Sequence, residues 1–317
     1  MAKKRSKKVS SRKAPRKTER KIPFNIRYYI EEMFEPTIMY CGFSALVGVV
    51  GALHYGHAVA LYGILAIIGV MLAQMSINLI DDYEDYTSGL DLDTVKTKFS
   101  GGSALIVDRK VEPRNVLLMG VVAFLIAATI GLYLISIYPI LIPIVLIGAA
   151  TILFYARFFS KVPYASEPLT AINFFLVAMG AYIAAGGPLM SAKLFAFAAL
   201  AIGFQVGIAV VVNFLPDRDA DRKHGRRNAI VMMSSNRGIA LLYLVFEYVS
   251  FTLVTMGVLM RFIPLACLLI LVTLPMIASV FKGMFEYKDP KSYEKTMATA
   301  ALAEFAFIVL LAIGFIL

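Results

Sequence analysis

Apolar residues recur along this chain in runs of about 20, each long enough to cross a bilayer as a helix, and the polar residues are gathered between the runs. Nine such runs are predicted as transmembrane helices, at 34–54, 58–80, 114–136, 138–158, 168–187, 193–215, 238–260, 262–283 and 297–317. Short links join most of them, while the segments 81–113, 216–237 and 284–296 are longer and polar. The predicted fold class is an all-α polytopic membrane bundle over residues 24–317, preceded by a separate tail, 1–23. Pro216 lacks the amide proton that a continuing helix needs, so it should bend or end the sixth run.

Composition removes a soluble two-domain reading: 59% of the residues are hydrophobic and 16% charged. The formal charge of +10 is a local property, because residues 1–21 carry eleven Lys or Arg and one acid. Such a tail cannot build a core and is expected to be disordered. Beside a membrane protein, its partner is expected to be anionic lipid headgroups, not nucleic acid. No apolar stretch with a cleavage site follows it, so no signal peptide is read. Assigning alternate links to alternate sides puts 29 of the 31 Lys and Arg on the side of the N-terminus, leaving Lys193 and Arg261 opposite. By the positive-inside rule the N-terminus and the long polar loops are cytoplasmic and the C-terminus lies outside. Cys41 and Cys267 fall inside apolar runs and read as packing residues.

The polar chemistry is concentrated where two runs end. After the second run, Asp81, Asp82, Glu84, Asp85, Asp91 and Asp93 stand within thirteen residues that include no Lys or Arg. If the helix continues, Asn78, Asp81, Asp82 and Asp85 share one face. Carboxylates crowded in this way take up protons or share a cation, and an all-oxygen donor set suits Mg²⁺. After the sixth run comes a second set, Asn213, Asp217 and Asp221. Gln74–Asn78–Asp82 and Gln205–Asn213–Asp217 look like equivalent parts of an internal repeat of about four helices. The helix ends would then converge on one cavity facing the cytoplasm.

The loop after the first set reads Lys96-Thr-Lys98-Phe-Ser-Gly-Gly-Ser103. Its ammonium groups, hydroxyls and glycine backbone suit phosphate oxygens. In the second loop Arg218, Arg222, Lys223, Arg226 and Arg227 are interleaved with the acids. Acids to hold metal and bases to hold the remaining charge suit a metal-bridged diphosphate. Arg157 and Lys161, after the fourth run, are within the same polar layer and are further candidates for diphosphate. Asn173, inside the fifth run, reads first as an interhelical hydrogen bond. Glu247 and Glu304 lie within runs and should face protein.

These residues resemble the UbiA-type intramembrane prenyltransferases. Asp82-Tyr-Glu-Asp85 matches the paired acids of that family's first motif, and Asp217-Arg-Asp-Ala-Asp221 with Gly225 matches its second. The continuation Tyr-Thr-Ser-Gly-Leu-Asp91 is similar to the branch that prenylates dihydroxynaphthoate for menaquinone. The chain departs from the family pattern at Asp81, where the family has Asn, and at Gly225-Arg-Arg-Asn228, where it has Gly-Lys-x-Thr. The resemblance implies nine helices, an isoprenyl diphosphate donor, an aromatic acceptor and Mg²⁺, two ions in number. The metal set would be Asn78, Asp81, Asp82, Asp85, Asn213, Asp217 and Asp221, with Asp82, Asp85, Asp217 and Asp221 catalytic. Asn78, Lys96, Lys98, Ser103, Arg157, Lys161, Asn213 and Arg222 would hold the diphosphate. The electron-rich acceptor ring would attack an allylic cation, for which Tyr83, Tyr86 and Tyr155 offer aromatic faces. Hydroxybenzoate, haem, a chlorin and geranylgeranylglyceryl phosphate are the alternative acceptors. From other classes, a cation transporter would place its charges near the bilayer midplane. A phosphatidyl-transferring enzyme would carry Asp-Gly-x-x-Ala-Arg, which does not occur here.

Overall fold

Helix boundaries in the computed structural model follow the punctuation of the sequence; it describes residue 22 and residues 24–97, 100–233 and 235–317. Residues 1–21, which hold the basic residues of the tail, and Lys98 therefore lie outside the described residues. All regular structure among the described residues is helical. A short helix α1, Ile26–Met33, capped by the side chain of Asn25, leads into α2, Pro36–Tyr55, which has proline in its first turn, where the missing amide proton costs nothing. The next helix, α3, runs from Ala60 to Ser88 and stops at Gly89, whose φ of 86° is left-handed. A single turn α4, Leu90–Asp93, follows, and α5, Pro113–Ile137, returns through the bundle.

Further along, α6, Ile142–Phe154, continues a 3₁₀ turn at Pro139–Leu141. Helices α7, Ser166–Ala184, and α8, Ala192–Phe214, are followed by two short pieces, α9, Arg218–Lys223, and α10, Ala229–Met232. The C-terminal part comprises α11, Asn236–Leu259, a 3₁₀ stretch Leu265–Thr273 running into α12, Leu274–Phe285, and α13, Pro290–Ile316.

Eight helices among the described residues are long and apolar enough to cross a membrane. The apolar segment Pro139–Phe154 is shorter than the span expected at 138–158. Pro139 and Pro143 confine its regular part, and the chain leaves the helix in turns after Phe154. Two further differences matter for the site. At 29 residues α3 is about 43 Å long, well beyond a hydrocarbon core of about 30 Å. Asp81, Asp82, Glu84 and Asp85, which the run boundary at 80 put in the polar segment 81–113, are therefore in the last two turns of a helix, the continuation that gives the three Asp a shared face with Asn78. At the other end of the chain, α13 begins at Pro290 and absorbs half of the loop expected at 284–296, because the Asp289 carboxylate caps it by accepting from the amides of Lys291 and Ser292.

Helix α8 is the most buried of the spans and packs on α7, α11 and α13. It ends at Phe214, two residues before Pro216, as the proline predicts. Helices α2, α3, α5, α6 and α7 enclose a space beside it, since α3 pairs with α5 and α2 packs on both α3 and α7. Cys41 and Cys267 are buried free thiols. Glu247 and Glu304 do face protein, 2% and 3% exposed, and Gln205 donates to Glu247 at 3.0 Å.

Candidate active site

The space enclosed by these helices is a cavity of about 780 Å³. Its depth is lined by small and apolar residues such as Ala66, Gly69, Ala127, Gly148, Val177 and Gly180. At its mouth it is acidic: Asp81, Asp82 and Asp85 reach it from the end of α3, Asp91 from α4, and Asp217 and Asp221 from the turn after α8 and from α9. Asn78 and Asn213 line it one turn deeper. The helical continuation of α3 puts its Asn and three Asp on one face, and the end of α8 brings the second set opposite. Both acid sets thus meet in one place.

Most of this charge is out of water. Asp221 is 1% and Asp91 7% exposed. One buried carboxylate oxygen on each of Asp81, Asp82, Asp217 and Asp221 has no hydrogen-bond partner. Burial and the neighbouring Asp221 carboxylate push Asp217 up to about 8, and burial also raises Asp221. Asp91 is raised by burial despite Lys96, whose ammonium pairs with it at 3.0 Å. Unpartnered buried carboxylates are under electrostatic pressure to gain a cation.

The main cation present is one that sequence reasoning did not single out. Arg226 donates from Nη2 to both oxygens of Asp85 at 2.6 Å, lies 3.5 Å from Asp81 and, through Nη1, 3.7 Å from Asp221. Burial opposes its charge, but the carboxylates of Asp85, Asp81 and Asp221 outweigh burial and raise its pKa. Four other basic residues share its loop; what selects Arg226 is the turn at Gly225, with φ 81°, which folds the chain back under α9. The amide of Arg226 then donates to the Asp221 carbonyl and that of Arg227 to Ser160. Asn228 completes the turn, donating to Asp221 at 2.7 Å and capping α10.

The glycine-rich loop closes the other side. Gly102 has φ 68°, and a Cβ there would sit 2.9 Å from Asp82 Oδ1 and 3.6 Å from Lys96 Nζ. Only glycine lets this backbone approach the carboxylate so closely. Ser103 donates to Glu32 of α1 at 2.5 Å, which ties α1 across the cavity mouth. Glu35, also at the mouth, was not anticipated either; burial and then the Glu32 carboxylate push it up to about 7.

The remaining candidates divide. Asn78, Asn213 and Ser103 line the cavity, and Lys96 stands beside it. Asn78 donates to Thr37 at 2.7 Å and accepts from Gln74 at 2.8 Å. Arg157, Lys161 and Arg222 are exposed and do not line the cavity. Arg157 instead pairs with Glu84 at 2.5 Å, and Arg222 lies near Asp219 at 3.9 Å. Lys223 and His224 hold Asp93 at 2.7 and 2.8 Å, fastening α4 to α9. Of the three tyrosines, Tyr155 lines the cavity whereas Tyr83 and Tyr86 do not. Asn173 lines it too, but donates to Thr151 at 3.1 Å and Leu169 at 2.8 Å, the interhelical tie its position suggested.

No three His, Cys, Asp or Glu side chains among the described residues converge as a ready-made metal site. The donor set nevertheless fits Mg²⁺: all its ligands are oxygen, several are unpartnered, and Mg²⁺ characteristically takes one or two carboxylates and completes its shell with phosphate and water.

A sequence profile of the UbiA prenyltransferase family matches residues 41–314. No curated protein matches the chain. Among solved structures, a UbiA homologue from Aeropyrum pernix K1 superposes with a TM-score of 0.66 at 19% identity, over 88% of this chain and 98% of its own. A digeranylgeranylglyceryl phosphate synthase gives 0.57 at 14% identity, covering 92% and 98%. An Archaeoglobus fulgidus UbiA homologue bound to GPP and Mg²⁺ gives 0.53 at 11%, covering 89% and 99%. At these identities the likeness is one of fold.

Proposed function

Because this chain belongs to the UbiA prenyltransferase family, we propose that it transfers a polyprenyl group from an isoprenyl diphosphate to an aromatic acceptor, with 1,4-dihydroxy-2-naphthoate as the leading acceptor. The observation that carries this reading is the meeting of both acid sets at the mouth of one cavity whose depth is apolar. The mouth suits a diphosphate and the depth suits an isoprenoid chain. The complex of the Archaeoglobus homologue with GPP and Mg²⁺ supports the same pairing of ligands here.

Asp82, Asp85, Asp217 and Asp221, with Asp81, Asn78 and Asn213, would hold two Mg²⁺ ions. Bound there, Mg²⁺ would neutralise charge on the departing diphosphate as the allylic C–O bond ionises. Lys96, Ser103 and the Gly101–Gly102 backbone would take diphosphate oxygens, and Lys98 belongs to the same loop. Arg157, Lys161 and Arg222, set back from the cavity, would act on the anion as it approaches, through the field they create. The helices exclude water from the allylic cation, and the Tyr155 ring faces the same cavity. The acceptor ring then forms the new C–C bond and loses its ring proton to solvent at the mouth.

In the membrane, Pro139–Phe154 would serve as a ninth, shorter crossing. The two Gln–Asn–Asp series would be halves of an internal repeat, and the cavity mouth would face the cytoplasm. The dihydroxynaphthoate assignment rests on Tyr86–Asp91, which in this fold forms the end of α3, the turn at Gly89 and the start of α4, at the cavity rim. The test is an acceptor panel: purified protein, geranylgeranyl diphosphate and Mg²⁺ with dihydroxynaphthoate, hydroxybenzoate, a chlorin, haem or geranylgeranylglyceryl phosphate, with products identified by mass spectrometry. Dihydroxynaphthoate should give the dominant prenylated product. Turnover confined to another acceptor would keep the prenyl transfer and replace the branch.

A further inference from the structure

Arg226 occupies a peculiar position for a diphosphate-binding residue, because its guanidinium is already bound to the carboxylates proposed to hold metal. It takes both oxygens of Asp85 at 2.6 Å and lies 3.5 Å from Asp81, in the first motif, and 3.7 Å from Asp221, in the second. It is 12% exposed. Asp82 and Asp217 are the two remaining acids of the motifs, and each presents a buried oxygen with no partner. Asp85 thus has both oxygens held by an internal cation, whereas Asp81, Asp82, Asp217 and Asp221 each keep a buried oxygen without a hydrogen-bond partner.

The geometry points to Arg226 as a placeholder cation that holds the two motifs together until diphosphate arrives and makes metal binding depend on it. This inference rests on the reading that these acids bind Mg²⁺ under a diphosphate. A divalent ion that recruits Asp85 along with Asp82 and Asp217 competes with the guanidinium for the Asp85 oxygens, so metal alone can complete that set only by breaking Arg226 away from Asp85. A buried guanidinium stripped of its carboxylates is left uncompensated, which is costly. Diphosphate removes that cost, since its oxygens match the planar donor fork of arginine. Metal and diphosphate then bind cooperatively, and linkage requires each to strengthen the other by the same factor.

The local backbone permits such an exchange by side-chain motion. The Arg226 amide is fixed on the Asp221 carbonyl at 2.9 Å, the Arg227 amide on Ser160 at 2.8 Å, and the Asn228 side chain on Asp221. The guanidinium itself is held by carboxylates of Asp85, Asp81 and Asp221. A lysine at this place would present a single point charge and could not span three carboxylates in the same way.

The experiment measures Mn²⁺ binding to the purified full chain by electron paramagnetic resonance, at fixed free Mn²⁺, with and without inorganic diphosphate. In the unsubstituted protein, diphosphate should strengthen Mn²⁺ binding about tenfold or more, the worth of a charge-assisted hydrogen bond or two. In Arg226→Gln, binding of Mn²⁺ alone should tighten about tenfold, while the gain from diphosphate largely disappears. Arg227→Gln, which removes an adjacent exposed charge, should change neither quantity. If Arg226→Gln does not fold, Arg226→Lys takes its place, with intermediate values expected for both. Unchanged or weaker binding of Mn²⁺ alone in Arg226→Gln, or no effect of diphosphate in the unsubstituted protein, would overturn the placeholder role while leaving the metal–diphosphate site standing. Absence of Mn²⁺ binding under every condition would instead remove the site itself, and the inference with it.

Discussion

At the scale of residues, the site is an excess of carboxylate restrained by few cations. Asp82 is the acid most directly confronted by the glycine loop, with the Gly102 backbone against one oxygen and the other buried without a partner. Asp82→Asn keeps shape and removes charge, so turnover should fall about a hundredfold or more while melting temperature holds or rises; unchanged turnover would separate Asp82 from the chemistry. Gly102→Ala tests the loop itself. Its left-handed φ would cost an L-residue about 1–2 kcal/mol, and the new methyl would meet Asp82 Oδ1 at 2.9 Å. Weakened diphosphate binding in a protein that still folds is the expected result, measured by titration with inorganic diphosphate. The acids themselves were legible in the sequence, because unbalanced charge at the end of an apolar run is conspicuous. Arg226 was not: six Lys or Arg lie in the segment 216–237, and nothing in their spacing shows which one the turn at Gly225 carries inward.

At the scale of elements, two features position these residues. Helix α3 overshoots the membrane thickness, so its last turns present Asn78, Asp81, Asp82 and Asp85 as a rigid face. The periodicity of those four residues anticipated the face, whereas the end of the helix could not be read, since polar residues at a membrane edge look alike in helix and loop. The second feature is α1, fastened across the mouth by Ser103–Glu32 and by Tyr29, which accepts from Asn115 at 3.0 Å. This cover carries a pH dependence. Burial raises Glu32 to about 6; burial, then the Glu32 and Asp81 carboxylates, raises Glu35 to about 7. Folded values above the ordinary 4.5 mean that the stability contributed by these groups is complete below that value and is lost as pH rises through 6 and 7. Metal-free protein should therefore melt at a lower temperature at pH 8 than at pH 5, and Glu35→Gln should flatten that slope. An equal slope in the variant would show that other groups cause it.

At the scale of the whole molecule, a bundle with small residues deep in its cavity and acids at one end suits a long apolar chain with a charged head. The family was recognisable from two motifs about 135 residues apart; the reach of the cavity was not, because it depends on how α3, α5, α6 and α7 pack. A Cβ added at Gly148, which lines the cavity, meets nothing within 4 Å. Gly148→Phe should shorten the longest isoprenyl diphosphate accepted, seen as a shift in product length across donors of increasing size, with the mouth chemistry intact. The measurement that bears most directly on the whole account is diphosphate release by the purified protein, given geranylgeranyl diphosphate and an aromatic acceptor, with and without Mg²⁺. Release should require both the acceptor and Mg²⁺, should stop on chelation, and should be lost in Asp82→Ala and in Asp217→Ala alike, because the two motifs act on one diphosphate. Release that persists in either variant, or that ignores chelation, would contradict a shared metal–diphosphate site at the meeting of α3 and α8.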